Sequence, residues 1–573
     1  PRAGMCGRYT LFTPRDVLAE RFGVEFPDGE PRYNCAPGQS LPVVTGDEAE
    51  RMEWGLVPEW ADDDGSAQIN ARGETVTEKP TFRDAFQKKL HKVFRMRGDF
   101  DAVSTQRGLP PFMMREIQSM TPLSVFIPEE YGGRGGHVHE CQSILATASY
   151  ESLALSLTLG INGALFLQPL TKYGAESIKP PVFERFIEEK NLGGLMITEP
   201  DYGTDALSME TSYTETGDGD YHLTGTKHWA GLTGWADFWL VTARRQGADG
   251  DLGRDIDFFV ADMNQPEQMI EVEEFYENLG LYMIPYGRNH VDIQVPAKHR
   301  LQPKSTGIKM MLDILHRSRI EFPGMGMGFL QRILDEALAH CKERFVGGKS
   351  LLEYDQVQRR VADIQAAYTA CSAMCLHTSE HAHTDNNLAG KALSANATKT
   401  VVTDLMQNAA QSLLQLTGGK GYRLDHVAGR SVVDSRPFQI FEGSNDVLYQ
   451  QITESILKSM RQAKERNLRS FLEDHDLTAR ATDYFSGALD FEVDQSLPQR
   501  KLVDLGRVLG RVVTMEMVIE LGDRGFRSDL ISNCLQSFQE KVERLLASYG
   551  RSQTPSVIDD YVEGSAWLDF VKA

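Results

Sequence analysis

No Cys-x-x-Cys pair occurs in this chain, and its seven cysteines, at positions 6, 35, 141, 341, 371, 375 and 534, are odd in number and scattered. Neither a zinc site nor a disulfide framework is suggested, so no metal is expected and a reducing, cytoplasmic setting fits best. Cys371 and Cys375 share a helix face at i, i+4, which reads as core packing. Basic residues are in deficit: 60 Lys and Arg stand against 81 Asp and Glu, a net charge of -21. That argues against non-specific nucleic-acid binding, which depends on cations neutralising phosphates. The first residues lack an apolar core of the kind a signal peptide carries. Only one uncharged run, residues 152–171, is long enough to span a bilayer. Polar residues, a proline and two glycines dilute it and no basic flank orients it, so it predicts a buried helix and no membrane span. No internal repeat is present.

What remains is a chain of 573 residues, 41% hydrophobic and 25% charged, a composition that suits a soluble globular protein. At roughly 100–200 residues per domain, two to four domains are expected. Residues 1–87 carry short apolar pieces broken by Pro, Gly and Asp, which predicts a small β-rich segment. Residues 88–194 read as helical. Residues 195–303 read as strands, among them Tyr221–Thr224, Asp237–Thr242, Ile256–Val260 and Val291–Val295, with an alternation in several that suggests one solvated face. The helical period returns in 304–464, where Met325, Phe329, Ile333, Ala337 and Cys341 form a stripe at four-residue spacing. Further helices are predicted over 353–383, 390–417 and 437–464, which completes a four-helix bundle. Residues 465–573 are predicted as a helical extension. Helices, then sheet, then helices around one core define an α+β class.

Four motifs fall in order across the larger part. They are Met196-Ile-Thr-Glu-Pro-Asp-Tyr-Gly-Thr-Asp205, Gly217-Asp-Gly-Asp-Tyr-His-Leu-Thr-Gly-Thr-Lys-His-Trp229, Gln415-Leu-Thr-Gly-Gly-Lys-Gly-Tyr422 and Gln439-Ile-Phe-Glu-Gly-Ser-Asn-Asp446. Any one alone is weak, since a Gly-Gly-x-Gly-Tyr turn is ordinary loop chemistry. Together they resemble the signatures of the acyl-CoA dehydrogenase family. The resemblance implies an N-terminal helical domain, a middle β-barrel-like domain and a C-terminal four-helix bundle. It also implies non-covalent FAD, an acyl-CoA substrate, electron-transfer flavoprotein as partner, and a homodimer or homotetramer.

Residue by residue, the resemblance assigns Glu442 as the catalytic base that removes the α-proton. Met196, Ile197, Thr198, Thr204, Trp229 and Gly231 would lie beside the flavin. Arg344 would pair with the pyrophosphate, Gln415 and Gly419 would serve the adenine side, and Ser444 and Asp446 complete the cofactor set. Thr204, Arg319, Glu442 and Gly443 would meet the substrate. One branch of the family carries its base just before an Arg on an earlier bundle helix; that position is Ser318 here, so no carboxylate competes there. Four departures stand out. Gly231 replaces a hydroxyl residue, with Thr233 a candidate substitute, and Gly347-Gly348 replaces Phe-Gly. Asp355 replaces Gln, and Val433 replaces an Arg often found before Asp434. Dehydrogenation needs a base for the acidified α-proton and a hydride acceptor for the β-carbon, and a carboxylate buried beside an apolar chain acquires the raised pKa suited to the first task.

Residues 5–86 carry a second resemblance, to the SRAP family, through Met5-Cys-Gly-Arg-Tyr-Thr10, Tyr33-Asn-Cys-Ala-Pro-Gly-Gln39, Trp54-Gly-Leu-Val-Pro58, Ile69-Asn-Ala-Arg72 and Arg83-Asp-Ala-Phe86. It implies trapping of abasic sites through Cys6, with Asn70 in the same site. The later Glu and His of that family find no counterpart, and an acidic module makes a poor funnel for single strands. The segment therefore reads as a truncated remnant. The expected activity is acyl-CoA dehydrogenation, with an acyl-CoA oxidase as the close alternative and a DNA-binding or abasic-site repair protein as the alternative from another class.

Overall fold

The computed structural model describes the backbone of four strands in the first 53 residues, then residues 81–96, 108–485, 487–494 and 496–551 with a few beyond. The chain divides into two compact units, residues 1–85 and 86–573. In the first, β1 (Tyr9–Leu11) pairs antiparallel with β2 (Arg32–Cys35), and β3 (Ser40–Thr45) with β4 (Glu48–Glu53). Cys6 and Asn70 lie outside the described residues.

The second unit follows the predicted succession. Its leading helices are α1 (Phe82–His91, which starts in the first unit), α2 (Pro111–Gln118), α3 (Val138–Glu151), α4 (Leu153–Asn162) and α5 (Lys179–Ile187). Ser152 caps α4, its hydroxyl accepting from the Leu155 N–H at 3.2 Å. The uncharged run is indeed a buried helix: α4 continues through a π turn at Gly163–Leu167 to Tyr173. Asn162, buried at that turn, accepts from the Gly193 N–H at 2.6 Å and donates to the Thr158 carbonyl, which ties the helix to the first strand of the sheet.

That sheet has seven strands: β5 (Gly193–Met196), β6 (Ser212–Glu215), β7 (Tyr221–His228), β8 (Phe238–Arg245), β9 (Asp257–Asp262), β10 (Glu271–Phe275) and β11 (Gly287–Val295). They run in the order β10-β11-β7-β6-β8-β5, with β9 on β8. β5 and β6 lie parallel to β8, and the other pairs are antiparallel. The expected solvated face holds for β11, whose residues alternate buried and exposed along its length. It fails for β9, buried at every position, and for β8, buried at all but its last two. Both are covered on two faces, which their near-continuous apolar runs allow.

The bundle consists of α6 (Gly307–Glu343), α7 (Asp355–His381), α8 (Ala392–Thr417), a short α9 (Val427–Ser435) and α10 (Asn445–Ala463). α6 starts at Thr306, whose hydroxyl accepts from the Lys309 N–H, and runs unbroken through Pro323. Its predicted stripe from Met325 to Cys341 is buried throughout. Close packing of α6 on α3 depends on Gly328: a Cβ there would stand 1.8 Å from the Ala146 carbonyl oxygen. The expected start of α10 at residue 437 is replaced by a 3-10 turn (Arg436–Gln439) and a loop, and the helix itself begins at Asn445. That loop carries Glu442.

The extension contributes α11 (Leu468–Glu473), α12 (Gln499–Asp523) and α13 (Ser528–Tyr549). α12 lies against α10, with Gly506 so close to the Tyr449 carbonyl that a Cβ would fall within 1.9 Å of it. Arg507 pairs with Asp446 at 2.9 Å, and Arg511 lies 3.6 Å from Asp404.

Candidate active site

A cavity of about 260 Å³ lies between the end of β5, the β7–β8 connection, α4, α6 and the loop before α10. Ile197, Thr198, Thr204, Trp229 and Gly231 line it from the sheet side, and Arg319, Glu442 and Gly443 from the bundle. Eight of the residues expected from sequence thus meet in one place. Met196 does not line the cavity; it is buried one position before it, its carbonyl accepting from the Thr242 hydroxyl. Arg344 is exposed at the end of α6, and Gln415 and Gly419 are exposed at the end of α8, away from the cavity within this chain. Ser444 is the N-cap residue of α10, and Asp446 is held by Arg507.

Glu442 sits at φ +56°, a left-handed conformation that costs a non-glycine residue on the order of 1 kcal/mol. Two cations hold the turn. Arg319 Nε donates to the Glu442 carbonyl at 2.8 Å, and Lys399 Nζ to the Gly443 carbonyl at 2.8 Å. Gly443 follows at φ +89°. The Glu442 side chain projects into the cavity, where Oε2 is shielded from solvent and has no hydrogen-bond partner. Burial pushes its carboxyl above the ordinary value, against the opposing pull of Arg319, Lys399 and a hydrogen bond from Ser318. Lys399 is itself wholly buried, and burial with the nearby Arg319 lowers its ammonium to about 7. Nothing in the motif reading pointed to Lys399: it lies within an Ala/Thr-rich helix, where only the fold shows what its ammonium reaches.

The loop that presents Thr198 and Thr204 is anchored by a second buried cation. Lys227 Nζ donates to the Ile197 carbonyl at 3.1 Å, to Glu199 at 2.8 Å and to the Thr242 hydroxyl at 3.1 Å. Glu199 in turn accepts from the N–H groups of Glu210 and Thr211. Burial lowers the Lys227 ammonium to about 8, and the ion pair holds the Glu199 carboxyl below its ordinary value despite burial.

Trp229 forms the aromatic side of the mouth. It takes φ +53°, stays half exposed, and packs on Tyr276 with ring centroids 4.6 Å apart and on Tyr286 at 6.1 Å. Gly231 is closely fitted: a Cβ would come within 2.7 Å of Ile161. Thr233, the candidate replacement for the hydroxyl lost there, is buried, donates to the Ala230 carbonyl and accepts from Asn289. Its hydroxyl is committed to the fold and is not among the cavity-lining groups.

A second carboxyl in the cavity wall escaped the motif reading. Glu321 is on α6, three residues after Ser318, and both its oxygens are buried without a hydrogen-bond partner. Burial raises it to about 7. The sequence carries the signal, since residues three apart share a helix face, but the family pattern marks only position 318 there.

Helices around a seven-stranded half-barrel, with a carboxylate-bearing cavity between sheet and bundle, define the architecture of one class of flavoenzymes. The chain carries the middle and C-terminal domains of an acyl-CoA dehydrogenase family enzyme: residues 194–292 match the family's middle domain and residues 305–457 its C-terminal domain. The short-chain specific acyl-CoA dehydrogenase of Megasphaera elsdenii is 26% identical over 342 residues, 58% of this chain and 87% of that protein. A crystal structure of acyl-CoA dehydrogenase complexed with FAD from Bacillus anthracis superposes with a TM-score of 0.67 at 16% identity, over 84% of this chain and 88% of that one. A glutaryl-coenzyme A dehydrogenase glutaryl-CoA complex gives 0.56 at 23% identity, over 70% and 97%. Residues 5–153 match the SOS response associated peptidase (SRAP) family, so that match runs beyond Phe86 and across residues that fold here as α1, α2 and α3.

Proposed function

We propose that residues 86–573 oxidise an acyl-CoA thioester to its α,β-enoyl product with FAD as cofactor and Glu442 as the base. The observation that carries this reading is the unpartnered, shielded Oε2 of Glu442, aimed into a cavity whose other wall holds Thr198 and Trp229. The half-exposed Trp229 ring, walled by Tyr276 and Tyr286, offers the apolar plane that a flavin would cover, and the Ile197–Thr198 strand end and Thr204 offer polar atoms at its edge. These residues fit FAD, which when bound supplies the acceptor for the β-hydride.

The rest follows from the chain. Glu442 Oε2 takes the α-proton, and its raised pKa makes it a competent acceptor for a weakly acidic carbon. Arg319 and Lys399 keep the Glu442–Gly443 backbone fixed, so the carboxylate meets the α-carbon without a reorganisation cost. The apolar lining from Leu145, Ile161, Ala164, Phe322 and Met325 excludes water from the acyl chain. Arg344, Gln415, Gly419, Ser444 and Asp446 would complete the cofactor site only with further contributions, the adenine side from a neighbouring copy in a homodimer or homotetramer. Electrons would leave to an electron-transfer flavoprotein.

A panel of saturated acyl-CoAs added anaerobically to the FAD-loaded protein tests the reading. Bleaching of the flavin band by at least one short acyl-CoA is expected, and bleaching by none refutes it. Hydrogen peroxide formed in air without another acceptor would place the protein with the acyl-CoA oxidases instead.

A further inference from the structure

Glu321 has no task in the reaction just described, yet it is the more unusual of the two cavity carboxyls. It is almost wholly inaccessible, 2% exposed, and neither oxygen has a hydrogen-bond partner. Its neighbour Gln168, at the start of the helical turn that follows Gly163–Leu167, is equally buried and lies close enough to draw on the carboxyl, although neither of its amide atoms is in good hydrogen-bond geometry with a partner. A buried polar group left unbonded costs on the order of 1–3 kcal/mol, and native proteins seldom keep several together without a use for them. The cavity wall beside it is largely apolar, with Leu145, Ala164, Phe322 and Met325, and the buried Arg317 guanidinium offsets only part of the cost of burying the carboxyl.

The placement on α6 shows what the carboxyl addresses. Ser318, Glu321, Phe322 and Met325 follow the i, i+3, i+4, i+7 spacing of one helix face, and all four line the cavity. Ser318 stands at the level of the Glu442 carboxyl, to which it donates. Glu321 is one turn further on, roughly 5–6 Å along the face, toward α3 and α4, where Cys141 and Gln168 are its neighbours. An acyl chain with its α-carbon at Glu442 and extending along this face would bring its far end to Glu321 after a few carbons.

We propose that Glu321 is a specificity-determining residue, receiving a hydrogen-bond-donating hydroxyl or amine at the far end of a short acyl chain. The inference rests on the reading of the cavity as an acyl-CoA site. Either protonation state of the carboxyl can accept from such a donor. A plain alkyl end would instead leave the carboxyl without a donor from the substrate, a discrimination of the kind that buried polar sites enforce strongly.

The test uses the FAD-loaded protein and straight-chain acyl-CoAs of about four to eight carbons, each with and without an ω-hydroxyl or ω-amine. Two readouts are taken: kcat/KM, and the Kd of the matching unreactive enoyl-CoA products by calorimetry. The wild type should prefer an ω-substituted chain by about tenfold or more at one length, and Glu321→Leu should reverse that preference while retaining FAD. Glu321→Gln, which keeps the polar volume, should retain a preference for the hydroxyl and guards against a folding failure of the leucine variant. Equal use of plain and substituted chains by the wild type overturns the inference, as does an unchanged preference in Glu321→Leu. Either result leaves the dehydrogenase reading standing. Failure of every acyl-CoA to bleach the wild-type flavin would instead overturn that reading.

Discussion

Replacing Glu321 with leucine should make stability less sensitive to pH, and the structure sets the size of the effect. In the folded protein burial raises this carboxyl from 4.5 to about 7. Below pH 4.5 the group is protonated whether folded or unfolded and contributes no pH dependence. Between 4.5 and about 7 the unfolded chain gives up the proton while the folded chain keeps it, so stability falls as pH rises. Above 7 both forms are ionised and the loss is complete. The gap corresponds to about 3 kcal/mol at most, since a tenfold change in proton affinity is about 1.4 kcal/mol. The assay compares thermal or urea unfolding of wild type and Glu321→Leu, followed by tryptophan fluorescence, at intervals from pH 4.5 to 8. The difference between the two proteins cancels every titration they share, Glu442 included. The leucine variant should gain on the wild type by up to about 3 kcal/mol across that window, with most of the change between pH 5 and 7. A difference that stays flat with pH would show that Glu321 is solvated or hydrogen-bonded in the folded protein, and the account of it as an unpartnered buried acid would fall.

Lys227→Met should leave Glu199 buried without its cation and loosen the Ile197–Thr198 strand end, at a cost of about 3–5 kcal/mol. A lower melting temperature with faster loss of bound FAD on dilution is the expected result, and an unchanged melt would show that Glu199 finds another partner. Gly328→Ala should force α3 and α6 apart, because the new methyl meets the Ala146 carbonyl; a loss of about 1–3 kcal/mol is expected in the same melt, whereas Gly419→Ala, with open space around it, should cost far less.

Much of the fold was legible because periodicity survives in sequence. The stripe from Met325 to Cys341 is the buried face of α6, and all four strand runs meet strands: two lie wholly within β7 and β11, and the other two begin one residue early, at Asp237 before β8 and Ile256 before β9. The strands that went unseen, β5, β6 and β10, are four or five residues long, too short for a period to show. The helix predicted from residue 437 begins only at Asn445; the left-handed turn at Glu442 and Gly443 is set by the Arg319 and Lys399 contacts, which no local pattern encodes. The same holds for the site. Motif order was enough to bring Thr198, Trp229, Arg319 and Glu442 to one cavity. What Lys399, Lys227 and Glu321 do depends on burial and long-range neighbours, and burial of a charged residue is what sequence statistics least anticipate.

The central claim is that Glu442 removes the α-proton, and anaerobic stopped-flow reduction of the bound flavin in Glu442→Gln tests it most directly. Glutamine preserves the volume and the turn while removing the base. The account predicts FAD content and a melting temperature close to wild type, with flavin reduction by the best acyl-CoA slowed on the order of 10²-fold or more. Reduction at the wild-type rate would contradict it and transfer the proton to another group.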